Sequence, residues 1–168
     1  LANSNRPLPS SRLINLSNLK SGELPLLEQA WPGIKPGLRR KIMKQLAKLA
    51  EDNIELNFDV IFRYCLRDTD AEVRSKAIEG LWESEDASLI NPLIKILEQD
   101  SSEKVQVATA TVLGNFSLLA DLNKLHSAYT SRLEQALLTA TGDKTRSIKV
   151  RCRALEAVAP LSSPPVRK

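Results

Sequence analysis

Apolar side chains recur along this chain at i, i+4 and i+8, the spacing that places them on one stripe of an α-helix. The triplets are Leu38, Ile42 and Leu46; Val73, Ala77 and Leu81; Val105, Thr109 and Leu113; and Val150, Ala154 and Val158. A second apolar helical segment precedes each of the last three, at Phe58 to Leu66, Leu89 to Leu97 and Leu133 to Leu138. The triplets begin 35, 32 and 45 residues apart, with the longest interval assigned to an extended connection around Ala120 to Thr130. A helix pair of this size cannot bury its stripe alone and must stack on its neighbours, so the period predicts an α-solenoid.

Pro and Gly punctuate the pattern. Neither occurs from Leu38 to Glu79, Leu93 to Leu113, Asn115 to Thr141 or Asp143 to Ala159, which leaves room for ordinary helices and shows little sign of strand alternation. Thr69-Asp70-Ala71-Glu72 and Asp100-Ser101-Ser102-Glu103 each place a capping oxygen three residues before a Glu, predicting helix starts closed by a capping box. Pro36 suits a helix's first turn, Asn57-Phe58-Asp59 a helix start and Gly142 a helix end. Residues 1–12 lack an apolar period and are expected to be loose, 13–160 form the repeat domain, and 161–168 read as a Pro-rich tail or the start of a further repeat.

The segment Thr69 to Leu81, with its aspartate-rich turn, Val-Arg pair and small or apolar residues on following turns, resembles the second helix of a HEAT repeat. Ser88 to Asp100, with Pro92, resembles the first helix. The similarity runs from about residue 23 to 159. It implies an all-α, right-handed α-α superhelix of HEAT-like or armadillo-like type with about three and a half helix pairs. It also implies a non-catalytic scaffold or adaptor that receives a partner protein on the concave face lined by the second helices.

Composition narrows the chemistry. At 42% apolar and 26% charged residues, 168 residues suit a globular domain. The longest uncharged run, Val105 to Ala120, is broken by Gln106, Thr109, Thr111, Asn115 and Ser117 and falls short of a membrane span. Cys65 and Cys152 have no C-x-x-C spacing and are expected to be reduced thiols, fitting a cytoplasmic compartment. The start, without Met and without Asp or Glu in residues 1–22, is expected to be a trimmed chain end and not a transit segment.

The net charge of +4 raises the question of a polyanion, but residues 1–40 and 101–168 are basic while 41–100 are acidic. On a helical wheel the most exposed column after each start is Lys44, Glu79, Thr111 and Glu156, extended by Lys48, Glu83 and Asn115. With Arg40 and Lys76 beside it, this column supplies the expected partner-binding residues: Arg40, Lys44, Lys48, Lys76, Glu79, Glu83, Thr111 and Glu156. Its sign changes at the second repeat, which disfavours a nucleic-acid groove. A nucleic-acid-binding or DNA-modifying protein is the runner-up. Some HEAT-like proteins are alkylpurine DNA glycosylases with an aromatic-rich basic cleft, whereas two Trp, two Tyr and three Phe are all this chain holds. HEAT-like bilin lyases share no motif with it.

The Val-Arg column Arg39, Arg74, Gln106 and Arg151 reads as a structural ladder, with the arginines pairing carboxylates such as Asp68, Asp70 and Asp100 in neighbouring turns. The single histidine, His126, is expected to be a loop or packing residue. Glu51, Asp52, Glu55 and Asp59 read as a solvated helix end, because they lack the Gly and ligand spacing of a calcium loop. No phosphate-binding glycine motif and no G-x-S-x-G elbow occurs, so no cofactor, metal or catalytic residue is expected. Trp31 is expected in the core, Trp82 between helices, and Phe58, Phe62 and Tyr64 in first-helix packing. A homodimer through a terminal repeat is a further expectation, since the Pro-rich end makes a poor polar cap.

Overall fold

The computed structural model describes residues 9–20 and 22–162, and the described residues are helices joined by short turns. The chain divides into two compact units, one ending at Leu81 and the other beginning at Trp82.

The first unit contains α1 (Ser10–Ile14), α2 (Leu24–Ala30) running into a 3₁₀ turn (Trp31–Gly33), α3 (Pro36–Asp52), α4 (Asp59–Cys65) and α5 (Ala71–Gly80). α1 begins inside the segment expected to be loose; residues 1–8 lie outside the described residues. Pro36 opens α3, where its missing N–H leaves no intrahelical bond unmade. α3 packs on α5, and α4 packs on α5, so the two second helices lie side by side with a first helix against them. Ile42, Leu46, Val73, Ala77 and Leu81 are buried, whereas Leu38 is half-buried. Phe58 and Phe62 meet edge to face with ring centroids 6.3 Å apart. Gly80 admits the Phe62 ring to its bare Cα, since a Cβ there would stand 2.5 Å from the ring.

The second unit contains α6 (Ile90–Gln99), preceded by a 3₁₀ turn (Ala87–Leu89), then α7 (Glu103–Asp121), α8 (Ser127–Gly142) and α9 (Ile148–Val158), with a last 3₁₀ turn (Ala159–Ser162). Helices α6 and α7 pair, as do α8 and α9, and α7 packs along α9 while α6 packs along α8. All of Val105, Thr109, Leu113, Val150, Ala154 and Val158 are buried. The 45-residue interval reflects longer helices, with α7 spanning 19 residues and α8 spanning 16, and not the extended connection expected around Ala120 to Thr130. α7 stops at a left-handed Asn123 (φ 58°), where the Asn123 N–H reaches the Ala120 carbonyl and the Lys124 N–H reaches the Leu119 carbonyl. These are the paired bonds of a Schellman end, with Asn in the position glycine usually takes.

Both predicted helix starts are occupied, but neither closes as a capping box. At α5 the cap is Asp70, one residue after Thr69, and its carboxylate accepts the Glu72 and Val73 N–H groups. At α7 the cap is Ser102, while Asp100 accepts the Ser102 N–H at 2.9 Å and shapes the turn before the helix.

Candidate functional site

In the first unit, α3 carries Arg40, Lys44 and Lys48 at successive i, i+4 positions, all exposed. Lys44 and Lys48 hold no ion pair among the described residues. Arg40 is engaged within the fold: its guanidinium grips Asp70 with Nε–H at 3.0 Å from both carboxylate oxygens and Nη2–H at 2.5 Å from one. That pair holds the Asp70 carboxyl below the usual carboxylate range, assisted by the Val73 and Glu72 N–H groups. On α5, Lys76 pairs with Glu79, which also accepts the Ser75 hydroxyl. The structure therefore leaves Lys44 and Lys48 available and ties Arg40, Lys76 and Glu79 to neighbours.

In the second unit Glu83 is exposed beyond the end of α5. Thr111 is half-buried and spends its hydroxyl on the Val107 carbonyl at 2.9 Å. Glu156 is exposed and accepts Arg153 at 2.8 Å. Asn115, in the same column as Thr111, donates to the Trp82 carbonyl at 2.6 Å. Trp82 itself is 46% exposed, against the expectation of a place between helices. Helix α5 ends at Gly80, so the residue after buried Leu81 no longer follows the helical wheel.

The Val-Arg column takes a different form from the predicted carboxylate ladder. Arg39 reaches an acidic side chain of that set, Asp68, at 2.8 Å. Arg74 donates to the Asp68 and Thr69 carbonyls, Gln106 to the Asp100 carbonyl, and Arg151 to the Thr141 carbonyl. These side chains satisfy carbonyls freed where the preceding helix ends, a task Gln performs as well as Arg. Asp70 serves Arg40, which lies outside the column.

Arg39 and Asp68 form the floor of a pocket of about 500 Å³ that sequence reasoning missed. The Asp68 side chain is fully buried and that of Arg39 is 10% exposed. Asp68 Oδ2 accepts both Arg39 Nη1–H and Trp31 Nε1–H, the latter at 2.6 Å, and Oδ1 accepts the Asp70 N–H. Trp31 is buried as expected, and its indole N–H meets a charged acceptor. Leu24, Pro32 and Val60 supply apolar wall, half-buried Tyr64 adds an aromatic one, and Glu28, Arg63 and Arg67 complete the lining. Cys65 also lines it, and burial pushes its thiol up. The contributors lie between residues 24 and 69 with no motif linking them; the expected Arg39–Asp68 pairing and a buried Trp31 were the sequence signals, and neither marked a pocket.

His126 caps α8, its Nδ1 accepting the Ala128 N–H at 3.2 Å. Glu51, Asp52 and Glu55 are exposed at and beyond the end of α3, and Asp59 opens α4. Among the described residues no cluster of His, Cys, Asp and Glu has metal-binding geometry, and no helix is long and apolar enough to cross a membrane.

No curated protein and no solved structure matches the chain. The family model for HEAT repeats matches residues 59–148, taking in α4 to α8 and the start of α9. The match covers more than half of the chain and takes in the buried triplets that begin at Val73 and Val105; the chain belongs to the HEAT-repeat family.

Proposed function

We propose that this chain is a non-catalytic interaction module, a scaffold or adaptor that holds a partner protein against the exposed side of its second helices. HEAT repeats generally serve protein association, and the family is typically non-catalytic. The observation that carries the reading for this chain is the α3 row. Lys44 and Lys48 stand exposed without an ion pair among the described residues, in a unit that also presents the Lys76–Glu79 pair on α5. Unpaired exposed charge of this kind steers encounter and selects a partner of complementary pattern. Glu83, Thr111 and Glu156 join the proposed contact set on the second unit, and a cytoplasmic setting suits its unbridged cysteines.

The test uses the folded chain as bait in lysate from its source, with and without nuclease, next to the double variant Lys44→Glu with Glu79→Lys. A protein retained after nuclease and released by the double variant supports the reading. Retention unchanged in a double variant of native helicity removes this face from the contact. Captures that vanish with nuclease put nucleic acid in its place.

A further inference from the structure

We propose that the pocket beside Trp31 is a second docking site, built for a partner segment in which a bulky apolar side chain is followed directly by carboxylate side chains. The proposal rests on the protein-binding reading above but places a contact away from Lys44 and Lys48, neither of which lines the pocket.

The apolar requirement follows from the walls. Leu24, Pro32 and Val60 surround a space of about 500 Å³ that is open to solvent. The volume lies within the range of ligand sites, but an open pocket encloses too little of a small molecule to hold it tightly. A protein segment can insert one side chain and draw its remaining contacts from the flanking surface.

The acidic requirement follows from counting donors and acceptors. The Asp68 carboxylate already accepts three N–H groups, from Trp31, Arg39 and Asp70, and has little to offer an incoming donor. Arg39 is in the opposite position, since its buried Nε–H has no partner. Arg63, Arg67 and Glu28 also line the pocket, and Arg67 is exposed and without an ion pair among the described residues. Three arginines against two carboxylates leave the lining positive by one formal charge, and exposed Arg67 suits a carboxylate seated next to the buried apolar group.

The two tryptophans make the test self-controlled. Trp31 donates its indole N–H within the pocket lining, whereas Trp82 is not part of that lining. The ¹⁵N-labelled chain is titrated with acetyl-Gly-Ser-Leu-Asp-Asp-Ser-Gly-amide, with the Asn-Asn and Ala-for-Leu versions, with sodium hexanoate, and with a single-stranded oligonucleotide. The Asp-Asp peptide is expected to shift the Trp31 indole signal saturably and leave Trp82 in place. Neutral or Leu-less peptides and the Arg67→Glu chain are expected to bind about tenfold more weakly or worse. Arg67 is exposed, so its reversal is expected to leave the helical melt unchanged; Val60→Trp, which fills the space, is the second variant and is expected to abolish the shift.

A shift at Trp82 alone, no shift at millimolar peptide, or equal affinity for hexanoate or the oligonucleotide overturns the proposal. The adaptor reading fails separately. A lysate partner that survives Arg67→Glu and is lost with Lys44→Glu/Glu79→Lys removes the pocket and leaves the α3 face, while absence of any nuclease-resistant partner of the unaltered chain removes the parent reading.

Discussion

The buried polar cluster at Asp68, in the unit ending at Leu81, joins side chains from different elements, while buried Thr109 and Ser117, in the unit beginning at Trp82, turn to main-chain carbonyls of their own helix. In the first, Arg39 on α3 and Trp31 before it converge on Asp68, 29 and 37 residues away. In the second, Thr109 returns its hydroxyl to the Val105 carbonyl one turn back, and Arg146 reaches the Leu97 carbonyl at 2.7 Å. A side-chain network fixes one geometry but hangs on each member. A bond to a carbonyl is easily replaced, because that carbonyl also belongs to a helix or can take water. The first unit should therefore be vulnerable to loss of a single carboxylate, and the second chiefly to changes of shape.

Asp68→Ala tests this contrast with the largest expected effect. It strands the Arg39 charge in the interior and removes the acceptor of the Trp31 and Asp70 N–H groups; breaking one side of a buried pair costs about 3–5 kcal/mol. Thr109→Val is the matched change in the second unit. It keeps the volume nearly constant and leaves the Val105 carbonyl its helical bond, so the expected loss is about 1 kcal/mol or less. Urea unfolding followed by Trp31 fluorescence in a Trp82→Phe background reads the first unit, and Trp82 in a Trp31→Phe background reads the second. Equal losses from the two substitutions would break the comparison.

A smaller difference is expected at the two helix-packing glycines. At Gly80 an added Cβ would lie 2.5 to 2.7 Å from three atoms of the Phe62 ring, so Gly80→Ala must displace a buried aromatic and should cost about 1–3 kcal/mol. At Gly114 the nearest atom is the Ala157 Cβ at 3.3 Å. A shift of a few tenths of an ångström accommodates it, and the gain in helix propensity is about 1 kcal/mol, so Gly114→Ala should be within about 1 kcal/mol of neutral. Thermal melts of the two single variants check the order. A Gly114→Ala that destabilises more than Gly80→Ala would show that the α7–α9 contact has less room than Ala157 suggests.

These contrasts also mark what a sequence can convey. Helix identity was legible because burial imposes a period, and Val73, Ala77 and Leu81 sit where the period puts them. Trp82 was misread because periodicity ends with the helix, at Gly80. The end-of-helix role of Arg74 and Gln106 was invisible as to partner, since every residue carries a carbonyl and none is marked as the acceptor. Arg40 was assigned to a partner face because a wheel shows exposure and not what stands opposite; Asp70, 30 residues on, is supplied by packing α5 on α3. The pocket has no local signature, because its floor joins residue 39 to residue 68 and its walls come from two other helices.

Acidification gives the finest version of the comparison. The Asp70 carboxyl is held low chiefly by its bond from Arg40, and the Asp143 carboxyl of the second unit chiefly by the Thr145 hydroxyl, with the Thr145 N–H and Arg146 contributing. A carboxyl whose folded pKa lies below its unfolded value, about 3.9 for Asp, contributes stability that is fully present above that value and lost as pH falls through the folded one. Both carboxyls are half-buried, and the guanidinium that holds Asp70 is 53% exposed, so water screens the pairs in part and the losses should be the smallest of the set. Asp70→Asn keeps an acceptor for the Glu72 and Val73 N–H groups but removes the titration, and should flatten the acid limb read by Trp31 while leaving that read by Trp82; Asp143→Asn should do the reverse. Side-chain ¹³C titration supplies the decisive number. An Asp70 that titrates near 3.9 would mean that the Arg40 bond is little populated in solution, and Arg40 would then stand free beside Lys44 and Lys48, extending the α3 row by one charge.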